Sequence, residues 1–450
     1  MKQKNLDMTK GNPLRLLTLF TLPALASNLL NQVYSLTDSL IVGRYLGQTA
    51  LAAVGVCMPV ILLVSAMVIG LNVGVGILMS QCFGRRDYAQ MRHTLANAIY
   101  LGLILGTVIG VVGIPIAQPL LRLMGTPEGP MKEAVAYMRI SFLATVFPIF
   151  YFMFSNAFRG IGDGYTALYC LIVSVLSNVI LDYLFVARLG LGVAGSAYAT
   201  AMAQGMSVAF AAVMLYKKYP ELRLTRKDFS PDRKLFLEVT RLSIPIAIQS
   251  GFNNLGNVVV QGCVNGFGEA VMASYTVGGR LGAFSLMPME TIGSSLSVYA
   301  GQNLGAQKKE RIHGGVKASL KMNLIVSALL GGILLAFGKP LTQLFLPDAT
   351  GEIMRISYQY LLFAAVPGIL YGIMFVYQYV LRGVGCARES MLGSLMQLGA
   401  KVGVAMLGAY ALHKLNVVWL AWPVSYVAGT VFPYLRYHRF LRAPEEGKLP

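Results

Sequence analysis

Charge is scarce in this sequence. Only 12% of its 450 residues are Asp, Glu, Lys or Arg, whereas 56% are apolar, and that balance excludes a water-soluble globule of this length. Cysteine is scarce as well: five residues, at 57, 82, 170, 263 and 386, are scattered through apolar stretches with no CxxC spacing. This excludes a disulfide framework and a thiolate metal site and leaves packing as their role. The four histidines (93, 313, 413, 438) show no ligand spacing. No cofactor is expected.

What the chain has in quantity is apolar segments long enough to cross a bilayer, which takes about 20 residues each. Turn and charge clusters divide it into twelve: 14–46, 50–83, 92–116, 133–158, 165–187, 193–216, 236–265, 270–303, 311–338, 354–382, 388–411 and 416–437. The reading is an all-α polytopic membrane protein. The "ALA" at 24–26 after a basic start resembles a signal-cleavage site, but the helical pattern continues past it through Asn28, Asn31, Tyr34 and Asp38. Net charge is +18. With the N-terminus placed in the cytoplasm, about 27 of the Lys and Arg residues fall in or beside cytoplasmic segments and about 8 outside, the positive-inside pattern. The remaining two, Arg280 and Lys401, are placed deep within segments. Both termini are therefore expected in the cytoplasm, in a bacterial-type plasma membrane. The basic runs sit in short loops without interleaved aromatics, which argues against nucleic acid.

The chain reads as two copies of one unit. "RYLGQTALAAVGV" (44–56) aligns with "NGFGEAVMASYTV" (265–277), and "SQCFGRRD" (80–87) with "GQNLGAQK" (301–308), both at an offset of 221. "FRGIGDG" (158–164) returns as "LRGVGCA" (381–387), and Pro23 pairs with Pro245. Six segments per copy is an even number, so both copies share one orientation and are related by a pseudo-twofold axis along the membrane normal. This predicts a six-helix lobe at 1–216, a cytoplasmic linker at 217–235 and a second six-helix lobe at 236–450, with a monomer sufficient. "GLNVGVG" (70–76) and "RGIGDG" (159–164) resemble phosphate loops, but neither follows a strand or carries a Walker lysine. Close helix packing and a tight turn account for them better.

Acids inside the segments are few, and a charge at that depth costs several kcal/mol. Asp38 lies on a polar stripe with Asn28, Asn31 and Tyr34 or Ser35, at helical spacing. The fifth segment repeats the device with Asn178 and Asp182, and the sixth adds Ser196, Thr200 and Gln204. At about 1.5 Å rise per residue, all three groups fall in the outer half of the membrane. Two carboxylates with amide and hydroxyl oxygens nearby suit either Na⁺ or shared protons. Alternatively each acid snorkels outward or pairs with Arg44 or Arg188. The seventh segment keeps a polar stripe (Gln249, Asn253, Asn257, Gln261) without an acid. Glu290, beside Pro288, is open to two readings: a counter-charge for a cationic substrate, or a partner of Lys401.

These residues resemble the multidrug and toxic compound extrusion (MATE) family. The resemblance rests on "DSLIVGRYLG", "GQNLGA", the paired "RGIG" and "RGVG", and "SNVILD", in order within the duplicated frame. It implies a V-shaped pair of six-helix bundles acting as an antiporter, exporting lipophilic or cationic small molecules in exchange for H⁺ or Na⁺. It further implies a DinF-like ion site at Asp38, Asn178, Asp182 and Thr200. The NorM-like branch also has acids on its seventh and tenth helices; this chain has Asn253 and Asn254 there, and no Asp or Glu in "PGILYGIMFVYQYVLRG". Tyr34, Phe150, Met153, Met287, Met289 and Glu290 are the candidate substrate-cavity residues, since Met and aromatic surfaces adapt to varied ligands. A flippase for a lipid-linked oligosaccharide is the nearest rival and would need a strongly cationic cavity. An intramembrane enzyme would need clustered acidic or histidine motifs, and the sequence has none.

Overall fold

The computed structural model describes residues 5–347, 350–364 and 366–442, apart from the side chains at 39, 40, 42, 48 and 345. The chain ends, where the termini were expected in the cytoplasm, lie outside the described residues at 1–4 and 443–450.

In a bilayer every backbone N–H and C=O must be satisfied within the protein, and helices do this segment by segment. Among the described residues, nine helices are long and apolar enough to cross: α1 (Pro13–Gly47), α2 (Thr49–Arg85), α3 (Tyr88–Leu123), α5 (Gly164–Arg188), α6 (Gly192–Lys218), α9 (Lys309–Leu344), α10 (Gly351–Gly383), α11 (Ala387–Ala411) and α12 (Leu415–Arg442). A tenth span, α4, is a pair of helices, Glu128–Ala144 and Val146–Gly160, bent by 47° at Thr145. Two more polar helices, α7 (Arg233–Asn265, 33 residues) and α8 (Glu269–Gly305, 37 residues), complete the twelve. Large apolar side chains stay on the outside, Val111 at 68% exposure and Ile180 at 66% among them. Such exposure is expected of a lipid-facing surface and not of a water-facing one.

The duplication is written into the backbone breaks. Gly47 (φ 79°) ends α1 and Gly268 (φ 97°) precedes α8, 221 residues later. Arg86 (φ 64°) and Gln307 (φ 57°) turn the chain into α3 and α9 at the same interval. Gly162 (φ 83°) and Gly385 (φ 88°) make the turns into α5 and α11, and both of those helices finish in a π-helical turn, Tyr183–Arg188 and Leu407–Ala411. Left-handed backbone is cheap for glycine.

By internal contacts the chain forms two compact units, one of Met1–Asp7 and Leu22–Ala247, the other of Met8–Thr21 and Ile248–Pro450. The first has an apolar core that includes Cys57, Ile109, Leu121, Met138 and Phe142. Here Gly70 of α2 packs on α7 so closely that an added Cβ would stand 2.6 Å from the Ala247 Cβ, which makes "GLNVGVG" a helix-packing surface. The linker docks on α3: Arg92 pairs with Asp228 at 3.3 Å, Tyr100 Oη donates to Phe229 O at 2.9 Å, and the Asp232 N–H donates to Asn97 Oδ1 at 3.0 Å.

The second unit is built on rings. Tyr275 stacks on Trp419 (6.0 Å, 11°), and Tyr360 meets Trp419 edge-on at 5.1 Å. Its "GQNLGA" stretch anchors the segment that leads into α1. Gln302 Oε1 accepts the Met8 N–H at 3.0 Å and Asn303 Nδ2 donates to Met8 O at 3.1 Å. All five cysteines are buried.

Asp163 closes the turn between α4 and α5. Its side chain caps α5 at the Thr166 N–H (3.0 Å) and accepts from Lys218 Nζ (2.7 Å) and from the Tyr219 hydroxyl. Burial pushes the carboxyl up, but the hydrogen bonds from Lys218, Thr166 and Tyr219 outweigh it and hold the group below the ordinary carboxylate value. Its contribution is therefore complete above about pH 4 and is lost as pH falls through the depressed value. Asp163→Asn should cost about 2 kcal/mol, less than the roughly 3–5 kcal/mol for breaking a fully buried pair, because Lys218 is partly exposed. Thermal unfolding in detergent checks this: the midpoint should drop by several degrees at neutral pH, and the gap to wild type should narrow on acidification.

Candidate functional site

The polar stripes of α1, α5 and α6 meet inside the first unit. Asn178 and Asp182 lie one helical turn apart and so share a face of α5. Asp182 is the last α-helical residue before the π turn, and such turns recur at functional sites. Both residues are buried, Asn178 at 1% exposure and Asp182 at 0%. Asn178 Nδ2 donates to Thr200 Oγ1 at 3.2 Å, which turns its carbonyl oxygen away from α6. Ser196 Oγ, one turn before Thr200, donates to Asp38 Oδ1 at 3.3 Å. The Asp38 and Asp182 carboxyls are close enough to interact electrostatically.

The decisive feature is what these oxygens do not have. Asp182 Oδ1, Asp182 Oδ2 and Asn178 Oδ1 are buried with no well-formed hydrogen bond to any described group. The ion pairs among the described residues are Asp7–Arg86, Asp228–Arg92, Asp232–His93, Asp163–Lys218 and Glu389–Arg436. None involves Asp38 or Asp182, so the alternative pairing with Arg44 or Arg188 is not made. Arg188 instead lies over the Tyr183 ring at 5.7 Å. Hard oxygen donors left without a hydrogen-bond partner are chemically suited to a proton or a small cation such as Na⁺. Among the described residues, no cluster of three or more His, Cys, Asp or Glu could hold a metal ion.

Two tyrosines complete the surroundings. Tyr34, expected at a substrate surface, lies near Thr200 and both acids. Tyr137 of α4 lies near Asp38 and Tyr34. No sequence signal marks Tyr137, since a single tyrosine in an apolar helix reads as packing. It lines a cavity of about 290 Å³ at the bend of α4, together with Ser141, Thr145, Phe152, Thr200 and Gln204. That volume is at the lower edge for a small-molecule pocket.

The expected substrate-cavity residues differ in exposure. Met153 (0% exposed) and Met289 (1%) are enclosed in packed cores, Met289 against α10 at Gly368. Phe150 is half-buried and packs on Gly102 of α3; Met287 is half-buried. Glu290 is exposed and accepts from the Tyr379 hydroxyl at 3.1 Å. It does not pair with Lys401, whose Nζ donates to Asn257 Oδ1 at 2.6 Å. Tyr379 in turn lies 4.2 Å under the Arg382 guanidinium, which donates to Ser390 Oγ (3.3 Å) and to Gln249 Oε1.

Comparison with known proteins decides the family, because the MatE family model matches this chain twice, over residues 23–184 and again over 245–407. This chain belongs to the MatE family. As a member it is a multi-pass membrane transporter and not an enzyme, in a family of ion-coupled antiporters. It is 29% identical to the "Probable multidrug resistance protein YoeA" of Bacillus subtilis, over 96% of this chain and 95% of the relative. The FAD transporter of Shewanella oneidensis is 25% identical over 91% of each chain, and the multidrug export protein MepA of Staphylococcus haemolyticus 23% over 84% and 83%. The fold matches a MATE crystal structure in the straight conformation with a TM-score of 0.89, covering 98% of both chains at 22% identity. It matches an outward-facing multidrug resistance MATE transporter with a TM-score of 0.90, again covering 98% of both at 22% identity.

Thr200→Val removes the acceptor that orients Asn178 and is expected to slow ion-driven transport about tenfold, the upper value for one neutral buried hydrogen bond. Ser207→Ala, which deletes a 2.6 Å bond to Cys170 O between the same two helices away from the acids, should leave transport near wild type. Initial transport rates at matched protein levels provide the check.

Proposed function

We propose that this transporter exports lipophilic organic cations of the drug or dye type in exchange for H⁺ or Na⁺, with a DinF-like coupling site at Asp38, Asn178, Asp182 and Thr200. The observation that carries this reading is a pair of neighbouring carboxylates, Asp38 half-buried and Asp182 fully buried with both oxygens orphaned, neither in an ion pair among the described residues. The relatives named for multidrug resistance and export support the substrate class. The bias of Lys and Arg supports cytoplasmic termini and a cytoplasmic linker.

In this reading the unloaded pair carries negative charge inside the first lobe, and an inward-facing transporter holds a lipophilic cation. A proton or Na⁺ arriving from outside neutralises the pair, removes the repulsion between Asp38 and Asp182, and lets α1 move closer to α5. The loaded lobe favours a shape with lower affinity for the drug, which then leaves outward. Exchange requires that ion and drug prefer different states; a ligand equally at home in both shifts nothing. Tyr34, Phe150, Met287 and Glu290 are the proposed substrate-facing residues, and Glu290 supplies the counter-charge. With Asn253 and Asn254 on α7 and no acid on the second half of α10, coupling is assigned to the first lobe alone.

Ethidium efflux from vesicles with separately imposed pH and Na⁺ gradients tests this. Asp38→Asn and Asp182→Asn should each cut gradient-driven efflux by at least tenfold while the protein stays folded and still binds dye. The gradient that works in wild type names the ion. Unimpaired efflux in both variants would make the acids structural and contradict the assignment.

A further inference from the structure

The second unit contains a cation that the coupling site does not use. Lys401 lies about 21 Å along α11 from its start and about 15 Å from its end at 1.5 Å per residue, well inside the span by either measure. Its Nζ donates to Asn257 Oδ1 of α7 at 2.6 Å and sits 4.8 Å from the centroid of the Trp422 ring of α12. Helices α7 and α11 approach closely here: a Cβ added at Gly256 would stand 2.6 Å from Leu398 Cδ1 and 4.0 Å from Lys401 Cδ.

No carboxylate among the described residues forms an ion pair with Lys401. The charge is met only by an amide oxygen and a ring face, and an ammonium at this depth is costly unless it serves a polar ligand or pathway. A lysine stem is too short to snorkel to either end from there. An ammonium has three N–H donors, and one of them is engaged with Asn257. Asn257 is exposed, and so is Asn253, one turn earlier on the same face of α7. An ammonium with unspent donors beside exposed carboxamides is an arrangement that recognises an oxyanion.

We propose that Lys401, with Asn257 and Asn253, binds the anionic oxygen group of an amphiphilic substrate, a phosphate or carboxylate, so that the transporter accepts anionic or zwitterionic molecules as well as cations. This goes beyond the cation-export reading and does not rest on it. Riboflavin and flavin mononucleotide share one ring system and differ by a single phosphate, so they isolate the group in question. Both would be titrated against the purified full-length protein in phosphatidylcholine nanodiscs, with binding read by flavin fluorescence polarisation. Wild type should bind flavin mononucleotide about tenfold more tightly than riboflavin, as expected for one charge-assisted contact. The preference should vanish in Lys401→Met and persist in Lys401→Arg. Absence of saturable flavin mononucleotide binding by wild type, equal binding of the two flavins, or a preference that survives Lys401→Met would overturn the proposal, and the first two need no variant to fold. Repeating the wild-type titration in phosphatidylglycerol nanodiscs separates the sources. A preference lost there supports the site with a lipid phosphate as its occupant, and one retained supports a soluble substrate. Wild-type ethidium efflux, run in parallel, reports on cation export separately, so either proposal can fail alone.

Discussion

Two neighbouring carboxylates, the half-buried Asp38 and the fully buried Asp182, with no ion pair to a cationic side chain among the described residues, are the constraint on which the first lobe depends. Each would cost several kcal/mol as a bare charge within the span, and their mutual repulsion adds to that. Asp38 and Asp182 can share the space cheaply only when something positive shares it with them. The surroundings are consistent with that demand: Ser196 donates to Asp38, Thr200 holds the Asn178 amide so that its carbonyl oxygen stays uncommitted, and the π turn after Asp182 ends α5 at the site. In the proposed mechanism, loading and unloading are changes in helix packing, because close-packed interiors respond to a lost or gained contact by shifting as units.

The remainder of the fold holds these helices in place with breaks that recur in each copy of the repeat. Positive-φ residues 221 apart start α8 as they end α1, and turn the chain into both α3 and α9. Where side chains differ between the copies, their chemistry differs too. The first lobe has the acid pair and a small cavity at the bend of α4. The second has ring packing around Trp419, a buried Arg382 at 7% exposure bonded to neutral partners, and Lys401 on an amide. The duplicated frame thus carries different polar chemistry in its two halves.

Periodicity along a single helix made much of this legible in advance. The spacing of Asn28, Asn31, Tyr34 and Asp38, and of Asn178 and Asp182, identifies which face of each helix is polar, and the rise per residue gives depth. Twelve spans and an internal repeat follow from segment length and string comparison. What such reasoning lacks is azimuth between helices. Glu290 and Lys401 read as a plausible pair by charge, yet one faces Tyr379 and the other Asn257. Met153 and Met289 read as cavity residues because a buried methionine and a ligand-facing one have the same sequence signature. Tyr137 was invisible because its importance comes from the 47° bend of α4, which brings it to the cavity beside Thr200.

The central claim is that the Asp38–Asp182 pair holds an exchangeable positive charge that substrate binding expels. The most direct measurement is the number of H⁺ and Na⁺ ions released when ethidium binds to the purified protein in detergent, followed with a pH-indicator dye and a Na⁺ electrode. The account predicts about one ion released per ethidium bound by wild type, of one kind only, and none by Asp38→Asn or Asp182→Asn protein that still binds dye. Saturable ethidium binding by wild type with release of neither ion would contradict it.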